Sequence, residues 1–350
     1  DGKLMKVLYL HQYFNTPDMK GGTRSYEMAR RMVEAGHEVH MITSTRDSPD
    51  SESGWVRTNV EGINVHWLRV PYNNKMGFFR RVLAFFKFAL LARQKAVTVG
   101  GDLVFATSTP LTIAIPAVYA KKKLGVPLVF EVRDLWPELP IAVGAIKSPI
   151  LKWLSKKLEK YAYFNSEHVV GLSPGMSQGI VNTGYPAKNV STIPNSCDLE
   201  LFDPASNDGA LFRKKYDWLG DRPLVIYAGT LGQINGVSYL ARLAEEIYEL
   251  DPEIRFAVIG AGVDEKKVRD VAEELGVLNK NFFMLKNIAK KEMPSVFSAA
   301  TVSTSLFIDL REMWANSANK FFDTLAAGKP VVINYGGWQA EIVERDRLGL

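Results

Sequence analysis

The sequence predicts two doubly wound α/β domains, and three observations lead there. Short apolar runs alternate with longer helix-like segments along the 350 residues. Several of the runs are continuous β-branched and leucine-rich stretches, as expected of strands buried on both faces of a parallel sheet. The alternation pauses once, near 195–222, where Asn195, Asp198, Pro204, Asn207, Gly209, Gly220, Asp221 and Pro223 read as a linker with a short helix. A chain that is 47% hydrophobic and 23% charged is neither disordered nor a membrane bundle. Domains of about 150 residues then place the boundaries at 1–200 and 201–350.

In the first half, strands are expected at 6–10, 39–44, 63–70, 103–106, 127–132 and 169–172, with helices at 25–35 and 111–124. In the second half, strands are expected at 224–227, 255–259, 281–285, 301–305 and 330–334, with helices at 237–250 and 265–275. Repeated βα units of this kind wind right-handed crossovers over a parallel sheet. Ligands in such sheets bind outside the carboxyl ends of the strands, so residues just after strands carry the most weight.

Charge is uneven along the chain. The 43 basic and 38 acidic residues leave +5 overall, yet residues 1–200 carry 25 and 17 and residues 201–350 carry 18 and 21. The first half therefore favours an anionic partner. Residues 75–95 contain Lys75, Arg80, Arg81, Lys87, Arg93 and Lys95 with no acidic residue, interleaved with Phe78, Phe79, Phe85, Phe86, Phe88, Leu83, Leu90 and Leu91. Basic and bulky apolar residues on one helix suit a membrane interface, or else a core helix with a basic exposed edge. Residues 147–160 repeat the theme with five lysines beside Ile150, Leu151, Trp153, Leu154 and Leu158. Nucleic acid is excluded as a partner, because the aromatics are not spaced as stacking platforms and no recognition motif occurs. No apolar stretch approaches the roughly 20 residues that span a bilayer. The short apolar stretch after Met5 contains Lys6 and is no signal peptide, and Asp1–Leu4 read as foreign to the natural start. The lone Cys197 excludes an intramolecular disulfide and suits a reducing compartment.

The candidate chemistry lies at strand ends. Strand 6–10 leads through His11 to Gly21-Gly22-Thr23-Arg24 and a helix, where backbone N–H groups can approach a phosphate; the alternative is a tight turn. His11 is a weak candidate acid or base. The run Glu131-Val132-Arg133-Asp134-Leu135-Trp136-Pro137-Glu138 ends a buried strand in charge: Arg133 can fork onto a phosphate and Asp134 can accept from sugar hydroxyls, unless the two form internal ion pairs. After strand 224–227 come Gly229, Thr230 and Gly232, permitting close approach to an anion. Asn316, Ser317, Asn319 and Lys320 surround a positive helix end, with Asp323 one turn on, suiting a pyrophosphate and a ribose unless the segment is ordinary capping. No GxGxxG, P-loop, HExxH or Gly-x-Ser-x-Gly motif occurs, and no Asp-x-Asp, so neither a metal nor a cofactor is expected.

These segments carry a resemblance. His11-Gln12-Tyr13-Phe14, Gly21-Gly22-Thr23-Arg24-Ser25-Tyr26-Glu27, Ala35-Gly36-His37-Glu38-Val39, the Glu131–Glu138 run and Asn319-Lys320 through Ala326-Ala327-Gly328-Lys329-Pro330 resemble the family 4 retaining glycosyltransferases of the GT-B fold. Within them the chain is most similar to the WbuB-like bacterial surface-polysaccharide subgroup, associated with N-acetylfucosamine transfer. The resemblance implies two Rossmann-like domains facing across a cleft. It implies a UDP-sugar donor held mainly by the C-terminal domain, with base contacts near Asn287 and Ile288. The acceptor is implied to be an undecaprenyl-diphosphate-linked glycan at the inner face of the cytoplasmic membrane, held by the N-terminal domain around His11 and Glu138 and by the basic segment. Metal-free chemistry is implied, with the protein stabilising the departing diphosphate.

Departures from the family pattern accompany it. Arg133 stands where many members have histidine, and Thr230 and Asn235 where they have an arginine and a lysine. Ala315 and Asp323 stand where they have two glutamates. Phosphate neutralisation is then expected from Lys320, Arg133 and Arg24, with backbone amides near Gly21, Gly229 and Asn316. The resemblance also implies a further βα unit and returning helices beyond Leu350, so the C-terminal domain is expected to lack its final helices. The rival readings are a nucleotide-sugar epimerase of the same fold and a catalytically lapsed membrane-associated scaffold.

Overall fold

The computed structural model describes residues 3–19, 21–45, 54–70, 76, 78–144, 146–206 and 208–350, apart from the side chains of Phe78 and Phe79. Asp1, Lys75 and Asn207, named above, lie outside the described residues. The chain divides into two compact units, one of residues 1–16 and 21–194, the other of 17–20 and 195–350. The division falls at 194/195, where the linker-like stretch begins, rather than at 200/201.

The first unit is built on eight strands: β1 (Lys6–Leu10), β2 (Glu38–Thr45), β3 (Trp55–Val60), β4 (Ile63–Arg69), β5 (Leu103–Thr107), β6 (Leu128–Val132), β7 (His168–Gly171) and β8 (Val190–Thr192). Their order is β3-β4-β2-β1-β5-β6-β7-β8, and only β3–β4 is antiparallel. The helices are α1 (Arg24–Glu34), α2 (Phe78–Val99), α3 (Ala114–Leu124), α4 (Glu138–Ala142), α5 (Pro149–Phe164) and α6 (Pro174–Asn182). Side chains alternate across a strand, and β1 shows both faces filled: Leu8 and Leu10 enter a core with α2, α3 and α5, while Val7 and Tyr9 enter another with α1. This explains the uninterrupted apolar runs. Two strands escaped the sequence reading. β8 has three residues, and β3 is an edge strand whose central residues are exposed, so neither shows a buried pattern. The β3–β4 hairpin turns on Glu61 and Gly62, both at positive φ as a two-residue primed turn needs.

The second unit holds β9 (Leu224–Ala228), β10 (Arg255–Ile259), β11 (Phe282–Leu285), β12 (Val302–Ser305) and β13 (Val331–Ile333), all parallel, in the order β11-β10-β9-β12-β13. Its helices are α7 (Gly209–Arg213), α8 (Ser238–Leu250), α9 (Glu265–Glu274), α10 (Met293–Ala299), α11 (Asn319–Ala326) and α12 (Trp338–Asp346). Leu224, Ile226 and Ala228 face one core, Tyr227 the other. The Gly260-Ala261-Gly262 stretch has a packing reason: a Cβ at Gly260 would lie 1.9 Å from the Gly229 carbonyl oxygen.

In each sheet the chain reverses direction of winding beside its first strand. β1 lies between β2 and β5, and β9 between β10 and β12. The carboxyl ends of β1 and β9 are therefore the switch points where a doubly wound sheet opens a crevice.

Candidate active site

In the first unit, three strand ends converge. His11 follows β1 and is buried, with its Nε2 3.4 Å from Arg133 Nη1 beyond β6. The Arg133 backbone N–H donates to Ser108 Oγ, and Thr109 Oγ1 donates to Asp134 at 2.8 Å beyond β5. Asp134 is thus oriented by a hydroxyl. Among the described residues Arg133 has no carboxylate in ion-pair range, which disfavours the internal ion-pair alternative and leaves the guanidinium available to an anion. Glu138 opens α4 with its Oε2 buried and without a hydrogen bond. Nearby Glu159 on α5 is buried; that burial, with the charge of Glu138, pushes its carboxyl up to about 8.

Arg24 requires a correction. Its Nε and Nη2 donate to Glu131 Oε1 at 3.0 and 2.8 Å, Nη1 donates to the Pro194 carbonyl and Nη2 to the Ile193 carbonyl. Glu131 is fully buried and also accepts from Thr107 Oγ1 at 2.7 Å. A buried carboxylate needs such partners, so the arginine is committed to the protein rather than to a phosphate. Gly21 and Gly22 are exposed ahead of α1, and the Gly22 carbonyl accepts from the Asn15 amide.

In the second unit the centre is Lys320, in the first turn of α11. Its Nζ donates to Tyr227 Oη at 2.9 Å and stands 4.2 Å from the centre of the same ring. Burial lowers its pKa to about 7. Gly229 adopts φ +153, which favours glycine, and a Cβ there would crowd Lys320 Cε at 3.2 Å and touch Nζ at 3.4 Å. Thr230 is exposed beside it, its carbonyl accepting from Tyr227 Oη at 2.8 Å. Asp323, one turn along α11, is pushed up to about 6 by burial, with Lys290 opposing and Asp198 adding to the shift. Asn319 is exposed at the start of α11, and Asn287 is exposed just past β11.

Several expected phosphate contacts are otherwise engaged. The Gly229 amide donates to the Ile259 carbonyl and the Asn316 amide to the Met313 carbonyl, because the loops close on themselves. Ser317 is buried: its Oγ accepts from the Asn195 backbone N–H, and its carbonyl from the Asn195 side-chain amide. The Ile288 side chain packs against the core. Ala315 ends the turn before α11 and supplies no carboxylate.

The basic helix has one packed face and one exposed apolar and basic face. Ala84, Phe88, Ala92 and Ala96, at four-residue spacing on α2, are in the core, while Leu83, Phe86, Leu90 and Leu91 are exposed near the exposed Arg80 and Lys87 and the half-buried Arg81. On α5, Ile150, Leu151, Trp153, Leu154 and Phe164 are exposed among lysines, and Lys157 Nζ lies 4.0 Å over the Trp153 ring. No helix among the described residues is long and apolar enough to cross a membrane.

Tyr227 and Glu131 were not singled out from sequence. The only sequence signals were a phenol in the otherwise aliphatic run Leu224–Ala228 and an acid at a strand position predicted to be buried.

Comparison with known proteins agrees with this architecture. Residues 21–196 match the Glycosyl transferase 4-like domain and residues 209–350 the Glycosyl transferases group 1 family. The chain is 24% identical over 304 residues to WcaI of Escherichia coli K12, whose name assigns it to colanic acid biosynthesis as a glycosyl transferase; this covers 81% of the chain and 72% of WcaI. It is 22% identical over 294 residues to WbjE of Pseudomonas aeruginosa, named as a glycosyltransferase, covering 82% and 72%. Among solved structures, sucrose-phosphate synthase from Thermosynechococcus elongatus superposes with a TM-score of 0.75 at 16% identity, over 99% of this chain and 85% of that one. HepE of Anabaena in complex with UDP-glucose superposes with 0.65 at 17% identity, over 97% and 83%. With a 4-like domain on its first Rossmann-like unit and a group 1 domain on its second, the chain belongs to the GT-B glycosyltransferases.

Proposed function

We propose that this glycosyltransferase moves a sugar, an N-acetylated amino or deoxy sugar, from UDP to an undecaprenyl-diphosphate-linked glycan, with retention and without a metal. The setting is O-antigen or capsule synthesis at the inner face of the cytoplasmic membrane, in the WbuB-like manner. The observation that carries the reading is Lys320: a cation at the switch point of the second sheet, with a phenol and an aromatic face as partners and no carboxylate among the described residues. A diphosphate is the ligand that such a cation lacks. The protein's role in the step is electrostatic: Lys320 neutralises charge as the sugar's bond to the diphosphate breaks, the acceptor oxygen bonds to the anomeric carbon, and the acceptor's proton passes to an oxygen of the departing diphosphate. Arg133, Asp134 and His11 form the polar group offered to the acceptor side. The name of the HepE complex with UDP-glucose supports a uridine donor.

The test is incubation with UDP-N-acetylhexosamines and lipid-linked acceptors in EDTA, reading UDP release and the product anomer. No nucleotide binding by calorimetry and no UDP release would overturn the reading. Ala315 favours one second reading, a lapsed scaffold, which predicts donor binding without turnover.

Two further outcomes follow from the site. Asp323 ionises near 6 and Lys320 loses its proton near 7, so UDP affinity is expected to peak between pH 6 and 7. Below that window the ribose-accepting carboxylate is protonated; above it the Lys320 side chain is the neutral amine and must take up a proton to bind. Calorimetry across pH 5–9 checks the shape, and a flat profile would remove both residues from the site. Secondly, Arg80, Arg81 and Lys87 all changed to Glu should weaken sedimentation with vesicles rich in anionic lipid at low salt, since each basic residue contributes about 1 kcal/mol near such a surface. UDP affinity should be unchanged; loss of both would mean that α2 serves only the core.

A further inference from the structure

We propose that Tyr227 is a positioning residue for the donor diphosphate: its phenol ties Lys320 to the loop after β9 and so fixes where the ammonium stands. The proposal rests on the donor reading above. Tyr227 is fully buried on β9, ringed by apolar side chains, with only its hydroxyl reaching the strand end. That oxygen does two things at once. It accepts from Lys320 Nζ at 2.9 Å, and it donates to the Thr230 carbonyl at 2.8 Å. The lysine comes from α11, 93 residues away, and the carbonyl from the loop three residues on.

A satisfied core tyrosine would need only one such partner. Here the second partner is an ammonium, and three features hold it: the hydroxyl, the ring face at 4.2 Å and the bare Cα of Gly229. Lysine is seldom sequestered without a counter-ion. A long side chain loses rotamer freedom when it is fixed. A cation so constrained and left without an acid is arranged for an anion that arrives later. The charged groups near the site do not take that place: Asp323, on the same helix, interacts with Lys290 and Asp198. The Tyr227 phenol itself is held far above its ordinary pKa by burial and stays protonated.

Tyr227→Phe tests this, because it keeps the ring and removes only the oxygen. Carbon-13 NMR of labelled lysine in the ligand-free protein should show Lys320 titrating at lower pH than in the wild type, since the ammonium loses an acceptor. Calorimetry at pH 8 should show inorganic pyrophosphate and UDP binding about tenfold more weakly, about 1.4 kcal/mol. Uridine affinity should be unchanged, a selectivity that general loosening of the core would not produce. An unaltered titration, or unaltered pyrophosphate affinity, overturns the proposal. Failure of the donor reading looks different: wild-type protein would bind neither UDP nor pyrophosphate, and the anion role of Tyr227 would fall with it even if the titration moved.

Discussion

Lys320→Met is expected to lower kcat/KM for sugar transfer about a hundredfold at pH 7, the equivalent of about 2–3 kcal/mol for one charge-assisted contact to a developing anion. Methionine fills nearly the same volume against the Tyr227 ring, so packing is preserved and the charge alone is removed. UDP affinity should fall with it, whereas uridine affinity should hold. A rate within threefold of wild type would mean that another group bears the diphosphate charge. Stability should move the other way. The folded protein holds Lys320 near 7 against an ordinary 10.5, so between those values the unfolded chain binds the extra proton and the native state gains stability as pH rises. The methionine variant lacks this group, and its melting temperature should depend less on pH from 7 to 10. The site is thus held at some cost to the fold, as functional sites often are.

The second large effect concerns stability. Arg24→Met should destabilise the first unit by about 3–5 kcal/mol, because it strands the Glu131 carboxylate in the core. The arginine side chain is 7% exposed and the glutamate 0%, so water cannot substitute. In a unit of this size the melting temperature should fall by about 10 °C. Adding Glu131→Gln should recover much of the loss, because the neutral amide can still accept from Thr107 and no bare charge remains. A single variant melting within 2 °C of wild type would show that solvent reaches Glu131. Recovery in the double variant separates a charge effect from the loss of the Ile193 and Pro194 contacts, which both variants share.

Much of the fold was legible because its signals are local. The strands 6–10 and 255–259 lie where the sequence predicts them, and Gly328 after α11 adopts the positive φ that ends a helix. The basic stretch at 75–95 was readable as an unusual surface, yet the sequence left open whether its apolar residues were core or exposed. Four-residue spacing of alanines and Phe88 settles it: one face packs, the other does not.

The candidate site was legible only in part. Chain order alone places Arg133 and Asp134 just past β6 and Lys320 in the first turn of α11. What a side chain does there depends on neighbours far away in sequence. Arg24 looked like a phosphate ligand beside Gly21 and Gly22, and Glu131, 107 residues on, claims it. Ser317 looked like a helix-end ligand, and Asn195, 122 residues earlier, claims it. Gly229 offered an amide, and Ile259 takes it.

The sequence by itself therefore determined two doubly wound domains, the strand ends that matter and an excess of basic charge on the first half. Only the tertiary structure decided which cations are free. Strand and helix periodicities are properties of neighbours along the chain, whereas the availability of a charge depends on whether a buried partner of opposite sign lies within about 3 Å, and that is set by packing across the sheet.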